Sequence, residues 1–255
     1  MMRLAVACSL YFLTSGLVGA CATTREVSQP LLLSLELSPN AQEQIAYPAF
    51  LVDTGRAATY RQQGLTARQQ SDFEGAIAAL KTAVTLAPNH VPGYVLLGWT
   101  QHLVGDRDTA IATLNEGLAR DPEHVPGLNA LGIAYLVNDD LEAAIATHTQ
   151  AKTLQAENEI AYYNLSLAYQ RLPDMSAAIA HAERATELEP YNPHPWVALA
   201  LAHWSNQDFT AAQAAYRQGL QLDGRYYNAG HLENLLKAGF SVEQIGQVEE
   251  IRQQI

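Results

Sequence analysis

Histidine residues at a repeated spacing are the first candidates for chemistry in this chain. His90 and His124 lie 34 residues apart, and Glu123 precedes the second of them, so that these side chains could meet as metal ligands at one edge of the molecule. Repeat registry explains the same interval equally well if the chain is built from units of that length. We therefore predict no metal site and attribute the pair to the repeat.

Motifs for catalysis are absent from the sequence. His231-Leu232-Glu233 lacks the second histidine that a zinc-binding helix needs, and neither Gly-x-Ser-x-Gly nor a Gly-rich phosphate loop occurs. Asp106 with Asp108, and Asp139 with Asp140, lie in turns and are not followed by the oxygen ligands of a complete calcium loop. We predict a protein that is not an enzyme, without catalytic residues or cofactors.

The elements that position these residues follow a 34-residue repeat. Five units without insertion or deletion span 170 of the 255 residues: 57–90, 91–124, 125–158, 159–192 and 193–226. Two antiparallel helices approach closely only where side chains are small, so small residues at fixed places, with turn residues between them, predict a helical hairpin in every unit. The eighth place carries Gly64, Gly98, Gly132, Ser166 and Ala200, and the twentieth carries Ala76, Ala110, Ala144, Ala178 and Ala212.

This pattern resembles the tetratricopeptide repeat. The family signature is matched best by Tyr94, Leu97, Gly98, Ala110, Leu114 and Pro122, and departures include His148 and Ala182, where the family usually has large apolar residues. The resemblance implies an all-α fold, a right-handed superhelical solenoid of five helical hairpins. It also implies a concave face, lined by the first helix of each hairpin, that binds an extended peptide or a partner helix.

A partner-binding groove is predicted on the face opposite the packing rows. Helical spacing places the second, fifth, ninth, twelfth and thirteenth residues of each unit there. The ninth place is apolar in every unit, which indicates either a hydrophobic partner or burial between neighbouring helices. The family's carboxylate clamp is disfavoured, because its places carry Leu65, Leu96, Pro126 and Ala130. The predicted groove residues are Leu65, Val95, Trp99, His102, Asn129, Ile133, Tyr163, Leu167, Gln170, Leu201 and Trp204.

The beginning of the chain reads as an export signal. Residues 1–20 contain Arg3, an apolar stretch from Leu4 to Leu17, and small residues before Cys21. The sequence Val18-Gly19-Ala20-Cys21 resembles the bacterial lipobox, which implies that Cys21 is lipidated and begins the mature protein. We expect export to the periplasmic side of a bacterial membrane, with the outer membrane favoured. Ordinary secretory cleavage, giving a soluble periplasmic protein, and an uncleaved anchor are the alternatives.

Two further segments flank the repeats. Residues 21–56 are predicted to form a lipidated tether, whose apolar run at 31–37 either caps the first repeat or occupies the groove. Residues 227–255 predict a pair of capping helices, Tyr227 to Ala238 and Ser241 to Gln254, the second starting with a capping box formed by Ser241 and Gln244. We expect this polar pair to shield the last apolar face of the solenoid.

Charge and composition narrow the predicted function. A net charge of −11 argues against nucleic acid as a partner. The sequence predicts a membrane-anchored scaffold lipoprotein that mediates protein–protein interaction in the assembly of an envelope or membrane complex, loosely similar in layout to the pilotins of type IV pilus secretins. The alternative is an accessory or sensor module that binds a small ligand or a polysaccharide through Trp99, Tyr163 and Trp204.

Overall fold

The structure is a computed structural model and describes residues 52–172 and 174–255. The predicted signal peptide, Cys21 and the apolar run at 31–37 lie outside these residues. None of the helices in the described part of the chain combines the length and hydropathy that a membrane-spanning helix requires.

The predicted hairpins form as an all-α solenoid. Each unit contributes a first and a second helix that contact one another, and each second helix also contacts the first helix of the next unit. The first helices are α1 (Thr54–Gln69), α3 (Val91–Leu103), α5 (Val125–Val137), α7 (Glu159–Arg171) and α9 (Pro193–Ser205). The second helices are α2 (Phe73–Leu86), α4 (Arg107–Leu118), α6 (Leu141–Leu154), α8 (Met175–Leu188) and α10 (Phe209–Leu222).

Small residues set the separation of the two helices in each hairpin. All five alanines of the twentieth place are 0% exposed. Opposite them, a Cβ atom added to Gly98 would lie 2.6 Å from Leu114 Cγ and 3.2 Å from the Ala110 carbonyl oxygen. A larger side chain at either place would push the helices apart and open a void beside them.

Aspartate begins the second helix of each hairpin. Asp72, Asp140, Asp174 and Asp208 each accept a hydrogen bond from the backbone N–H three residues later, at distances of 2.9–3.2 Å. These bonds satisfy a donor that the first turn of a helix leaves unpaired. Asp106 occupies the same place before α4 without making this bond. The aspartates at this place are therefore N-caps, whereas Asp139 forms an ion pair with Arg171.

His148 occupies a place that is usually apolar in the family and is completely buried. Its ring fills the space beside Gly132, where an added Cβ would lie 2.6 Å from His148 Cε1. The missing side chain of Gly132 thus makes room for the imidazole. Neither ring nitrogen has a hydrogen-bond partner of good geometry within the described residues, although the Gly132 backbone acts on the ring and opposes part of the effect of burial. Burial lowers the pKa of His148 to about 3.

This buried histidine should make the protein acid-sensitive. Unfolded chains take up a proton near the ordinary pKa of 6.5, whereas folded chains do not until about 3, so the stability present at neutral pH is lost between these values. At about pH 5 the loss attributable to His148 is about 2 kcal/mol. His148→Leu should remove this loss of stability, as measured by the free energy of urea unfolding at neutral pH and at about pH 5.

His203→Gln, at a half-buried position on α9, is the matched control and should keep the acid sensitivity of the wild type. An undiminished acid loss in His148→Leu would contradict the assignment.

The C-terminal segment forms a separate hairpin. It comprises a 3₁₀ turn at Gly224–Tyr227, the short helix α11 (Ala229–Leu232), a second 3₁₀ helix at Glu233–Ala238, and α12 (Val242–Gln253). Residues 229–253 are called the C-terminal hairpin below. Gly239 reverses the chain between its two arms with φ of 98°, a conformation that favours glycine. The predicted capping box is confirmed, because Ser241 and Gln244 exchange both side-chain-to-backbone hydrogen bonds.

Candidate protein-binding groove

The first helices place the predicted groove residues in parallel rows. Residues at the fifth, ninth and twelfth places of a unit are spaced i, i+4 and i+7, so they lie on one face of the helix. On α7 these residues are Tyr163, Leu167 and Gln170. Because the units repeat without insertions, the same rows continue on the other first helices. We call this surface the first-helix face.

The C-terminal hairpin lies on this face. Tyr163 Oη donates a hydrogen bond of 3.1 Å to the Ala238 carbonyl oxygen. Gln244 Nε2 donates one of 3.0 Å to the Leu167 carbonyl oxygen. At the tip of the hairpin, His102 Nε2 lies 3.2 Å from the carbonyl oxygen of Lys237. The hairpin also contacts α5 and α9. It therefore crosses the first helices of four repeats instead of covering only the last one, as a terminal cap would.

Apolar side chains bind the C-terminal hairpin firmly to the repeats. Phe240, Val248 and Ile251 are at most 2% exposed and belong to the same core cluster as Leu167 and Leu201. Burial of each side chain of this size stabilises the docked state by about 1.5–3 kcal/mol. The segment predicted to be a polar cap therefore has a polar outer surface and an apolar inner surface that packs on the repeats.

Amide side chains join α12 of the C-terminal hairpin to α7 and α9. Gln170 Nε2 donates to Ser205 Oγ at 2.6 Å and to Gln247 Oε1 at 2.9 Å. Gln170 Oε1 in turn accepts a hydrogen bond from Gln244 Nε2. Gln244 is only 2% exposed, so its amide depends on these partners in place of water.

Three first helices remain outside this contact along most of their length. The ninth-place residues Leu65, Trp99 and Ile133 are half-buried, whereas Leu167 and Leu201 in the same row are 1% and 0% exposed. The part of the first-helix face on α1, α3 and α5 is called the open half below. Trp99 stacks on His102 with ring centroids 4.8 Å apart, next to the tip of the C-terminal hairpin.

His102 marks the boundary between the covered and open halves. It is 4% exposed, and only Nε2 of its ring has a hydrogen-bond partner within the described residues. Burial lowers the pKa of His102, and the positive charges of Arg107 and Lys237 lower it further, against the effect of the Lys237 carbonyl. A neutral imidazole that donates from Nε2 fits this environment.

Tetratricopeptide family models match the chain over residues 67–131, 104–159, 160–192 and 193–226, which together run without a gap through most of the five units. The chain belongs to the tetratricopeptide repeat family. Its first-helix face is therefore the concave face on which such proteins typically bind protein partners. Among curated protein sequences, no relative matches the chain.

Solved structures include several similar tetratricopeptide proteins. A crystal structure of MamA has 26% identity and a TM-score of 0.56, covering 67% of this chain and 93% of MamA. The pilF protein of Pseudomonas aeruginosa has 21% identity and a TM-score of 0.62, covering 78% of this chain and 90% of pilF. TTC0263 of Thermus thermophilus has 18% identity and a TM-score of 0.60, covering 76% of this chain and 98% of TTC0263. The last two likenesses support the fold.

Two predicted groove residues instead hold neighbouring tetratricopeptide units together. Asn129 and Asn158 exchange two side-chain hydrogen bonds of 3.1 and 3.0 Å, and both residues are buried. Asn158 is also the N-cap of α7. Val95 approaches the first turn of α5, since its Cγ2 would lie 3.4 Å from a Cβ added to Gly127. Asn129 and Val95 therefore set the spacing of first helices.

Trp204 lies at the far end of the first-helix face and is half-buried. Its ring packs edge-on against Phe209 at 4.7 Å between centroids. Tyr163, the other aromatic groove residue besides Trp99, is covered by the C-terminal hairpin. The three aromatic side chains therefore do not form one exposed platform.

The two histidines with metal-like spacing are helix caps. His90 Nδ1 and His124 Nδ1 each accept a hydrogen bond of 3.1 Å, from the backbone N–H of Gly93 and Gly127 respectively. They hold the place that Asn158 and Asn192 hold before α7 and α9. Within the described ranges, no group of three or more His, Cys, Asp or Glu side chains could hold a metal ion.

Gln244 offers a direct test of the attachment of the C-terminal hairpin. Gln244→Ala removes the bonds to Leu167 and Gln170 and half of the capping box, and it leaves buried acceptors without donors. We expect this variant to lose about 2–3 kcal/mol of stability and α12 to exchange its amide hydrogens faster. Gln253→Ala, an exposed change on the same helix, should have little effect. Equal protection of α12 in the two variants would contradict this role.

Proposed function

We propose that this protein is a membrane-anchored scaffold that holds a protein partner in the open half of its groove during assembly of an envelope or membrane complex. The observation that supports the proposal is the difference in burial along the apolar ninth-place row. Leu167 and Leu201 lie under polypeptide supplied by the chain itself, whereas Leu65, Trp99 and Ile133 are half-buried. A surface that packs helices of its own chain in one half is suited to a partner's polypeptide in the other.

Membrane attachment is the second part of the proposal. It is supported by the sequence Val18-Gly19-Ala20-Cys21 and its resemblance to a lipobox. Lipid on Cys21 would keep the groove near the periplasmic surface of a bacterial membrane, with the outer membrane favoured, and thereby raise the local concentration of partners in the same membrane.

The alternative of a sugar or small-ligand sensor has less support. It required Trp99, Tyr163 and Trp204 to share one aromatic groove, but Tyr163 lies under the C-terminal hairpin and Trp204 packs on Phe209. A cleft of about 700 Å³ beside the hairpin is lined by charges of both signs, including Arg107, Asp139 and Glu243, and by none of those three aromatic residues. A polypeptide partner fits the half-buried apolar row better.

Crosslinking in the native cell tests the groove. A photoreactive amino acid at Ile133 or Leu65 should produce a covalent adduct with a partner protein, because both positions lie in the open half. The same amino acid at Thr149, exposed on the second helix α6, is the control and should give none. Trp99→Ala should weaken the groove adducts while circular dichroism stays unchanged. Adducts from Thr149 alone would place the interface elsewhere and refute the groove.

Cell fractionation tests the anchor. Cys21→Ser should move the protein from the membrane pellet to the soluble fraction, because a serine cannot carry the thioether-linked lipid. Cys8→Ser, a matched change inside the predicted signal peptide, should leave the distribution unchanged. A Cys21→Ser protein that still sediments wholly with membranes would rule out attachment through this residue.

A further inference from the structure

The open half of the groove has an unusual charge composition for this acidic chain. The whole sequence contains 26 acidic and 15 basic residues. Helices α1, α3 and α5 nevertheless contain no aspartate or glutamate, and α1 carries three arginines, Arg56, Arg61 and Arg68. The first helices of the open half therefore carry arginine on α1 and no carboxylate, within a negative protein.

Repeat registry places two of these arginines on the first-helix face. Arg61 and Arg68 hold the fifth and twelfth places of their unit, with Leu65 between them. In the fourth unit the same three places are Tyr163, Leu167 and Gln170, each of which contacts the C-terminal hairpin. The positions that bind polypeptide in one half thus carry two guanidinium groups and a leucine in the other.

Neither arginine is neutralised within the described chain. Both are half-buried, and no carboxylate among residues 52–172 and 174–255 forms an ion pair with either. The five ion pairs found there involve other arginines, among them Arg120 and Arg171. A guanidinium without an ion-pair partner in the described chain is suited to a ligand that supplies a carboxylate.

The start of α3 adds to the positive potential. The stem of Arg61 passes Gly93 in the first turn of α3, where Arg61 Cδ would lie 3.9 Å from an added Cβ. The Arg61 charge also acts on His90, the N-cap of that helix, whose pKa is lowered mainly by burial and then by Arg61. The positive end of the α3 dipole lies at the same place, so that an anionic group there would be stabilised by both.

From this arrangement we infer that the open half of the groove binds a short acidic and apolar segment of a protein partner, with carboxylates on Arg61 and Arg68 and a large apolar side chain against Leu65 and Trp99. The inference rests on the proposed function of the groove. Three neighbouring helices spaced about 8–10 Å apart span about 20 Å, which corresponds to about six residues of extended chain. The C-terminal hairpin bounds this surface along the helix axes, because its tip reaches His102 at the C-terminal end of α3 and Leu136 at the C-terminal end of α5.

Selection from a random dodecapeptide phage library tests this inference on the purified protein at low salt. Peptides that bind the wild type should carry an excess of Asp and Glu together with Trp, Phe or Leu. Arg61→Gln/Arg68→Gln should lose the acidic excess, and a synthetic copy of a selected peptide should bind this variant about tenfold more weakly. Added salt should reduce binding to the wild type and have less effect on the variant.

Two control variants separate charge from folding. Arg184→Gln/Arg217→Gln removes two arginines from the second helices α8 and α10 and should select the same acidic peptides as the wild type. Arg61→Lys/Arg68→Lys keeps the positive charges and should retain the acidic excess. Neutral or basic peptides from the wild type, no selected peptides, or an acidic excess that survives Arg61→Gln/Arg68→Gln would overturn the inference. If the Leu65 crosslink still forms in cells after such a result, only the acidic chemistry is refuted and the groove remains the interface.

Discussion

Where the two helices of each hairpin pack against each other, the space between their backbones is little wider than a methyl group. The buried alanine of the twentieth place and the small residue of the eighth place leave no room for a longer side chain, as the contact of Gly98 with Leu114 and the Ala110 carbonyl illustrates. Because all five units keep this separation, successive first helices repeat the same orientation, and residues 34 apart fall into rows. The groove is a consequence of this packing. The small residues determine where the first helices lie, and the rows of groove residues are on the opposite side of those helices.

One groove therefore presents two chemistries. In the fourth and fifth units, the rows consist of apolar and amide side chains that bind the C-terminal hairpin through a buried apolar underside and through Gln170, Gln244 and Gln247. In the first unit, the corresponding places carry Arg61 and Arg68 around Leu65. His102 and Trp99 stack at the boundary, where the hairpin ends. The difference arises from side chains alone, because the backbone units are equivalent.

The fold was predictable from the sequence because helix packing repeats a local rule in every unit. The small residues of the eighth and twentieth places and the turn residues between them were sufficient to place the ten helices, and the capping box at Ser241 located the last one. His90 and His124 could have been identified as caps, since their place is taken by Asn158 and Asn192 in later units. The cavity that holds His148 could not be predicted from the sequence, because it depends on the packing of His148 against Gly132 across the hairpin.

The groove itself was less predictable than the solenoid. Helical spacing assigned the predicted groove residues to one face of the first helices. It could not indicate what covers that face, because no local pattern links Lys237 to His102 or Ala238 to Tyr163. A signal was present in Leu232, Leu235, Phe240, Val248 and Ile251, which are too many apolar residues for a segment that only solvates a last helix. Asn129 was assigned to the groove because it holds the fifth place of its unit, although its amide is hydrogen-bonded to Asn158.

The contact between His102 and Lys237 joins residues 135 positions apart, in an architecture whose other contacts are almost all between neighbouring units. A solenoid without such a contact can fray from either end, one unit at a time. Here the second to fifth units are held together by the C-terminal hairpin, which follows them in the chain and is therefore synthesised after them. Opening one of these units therefore requires the C-terminal hairpin to detach as well. Within the described residues, the first unit, which carries the arginines, makes no hydrogen bond to this hairpin.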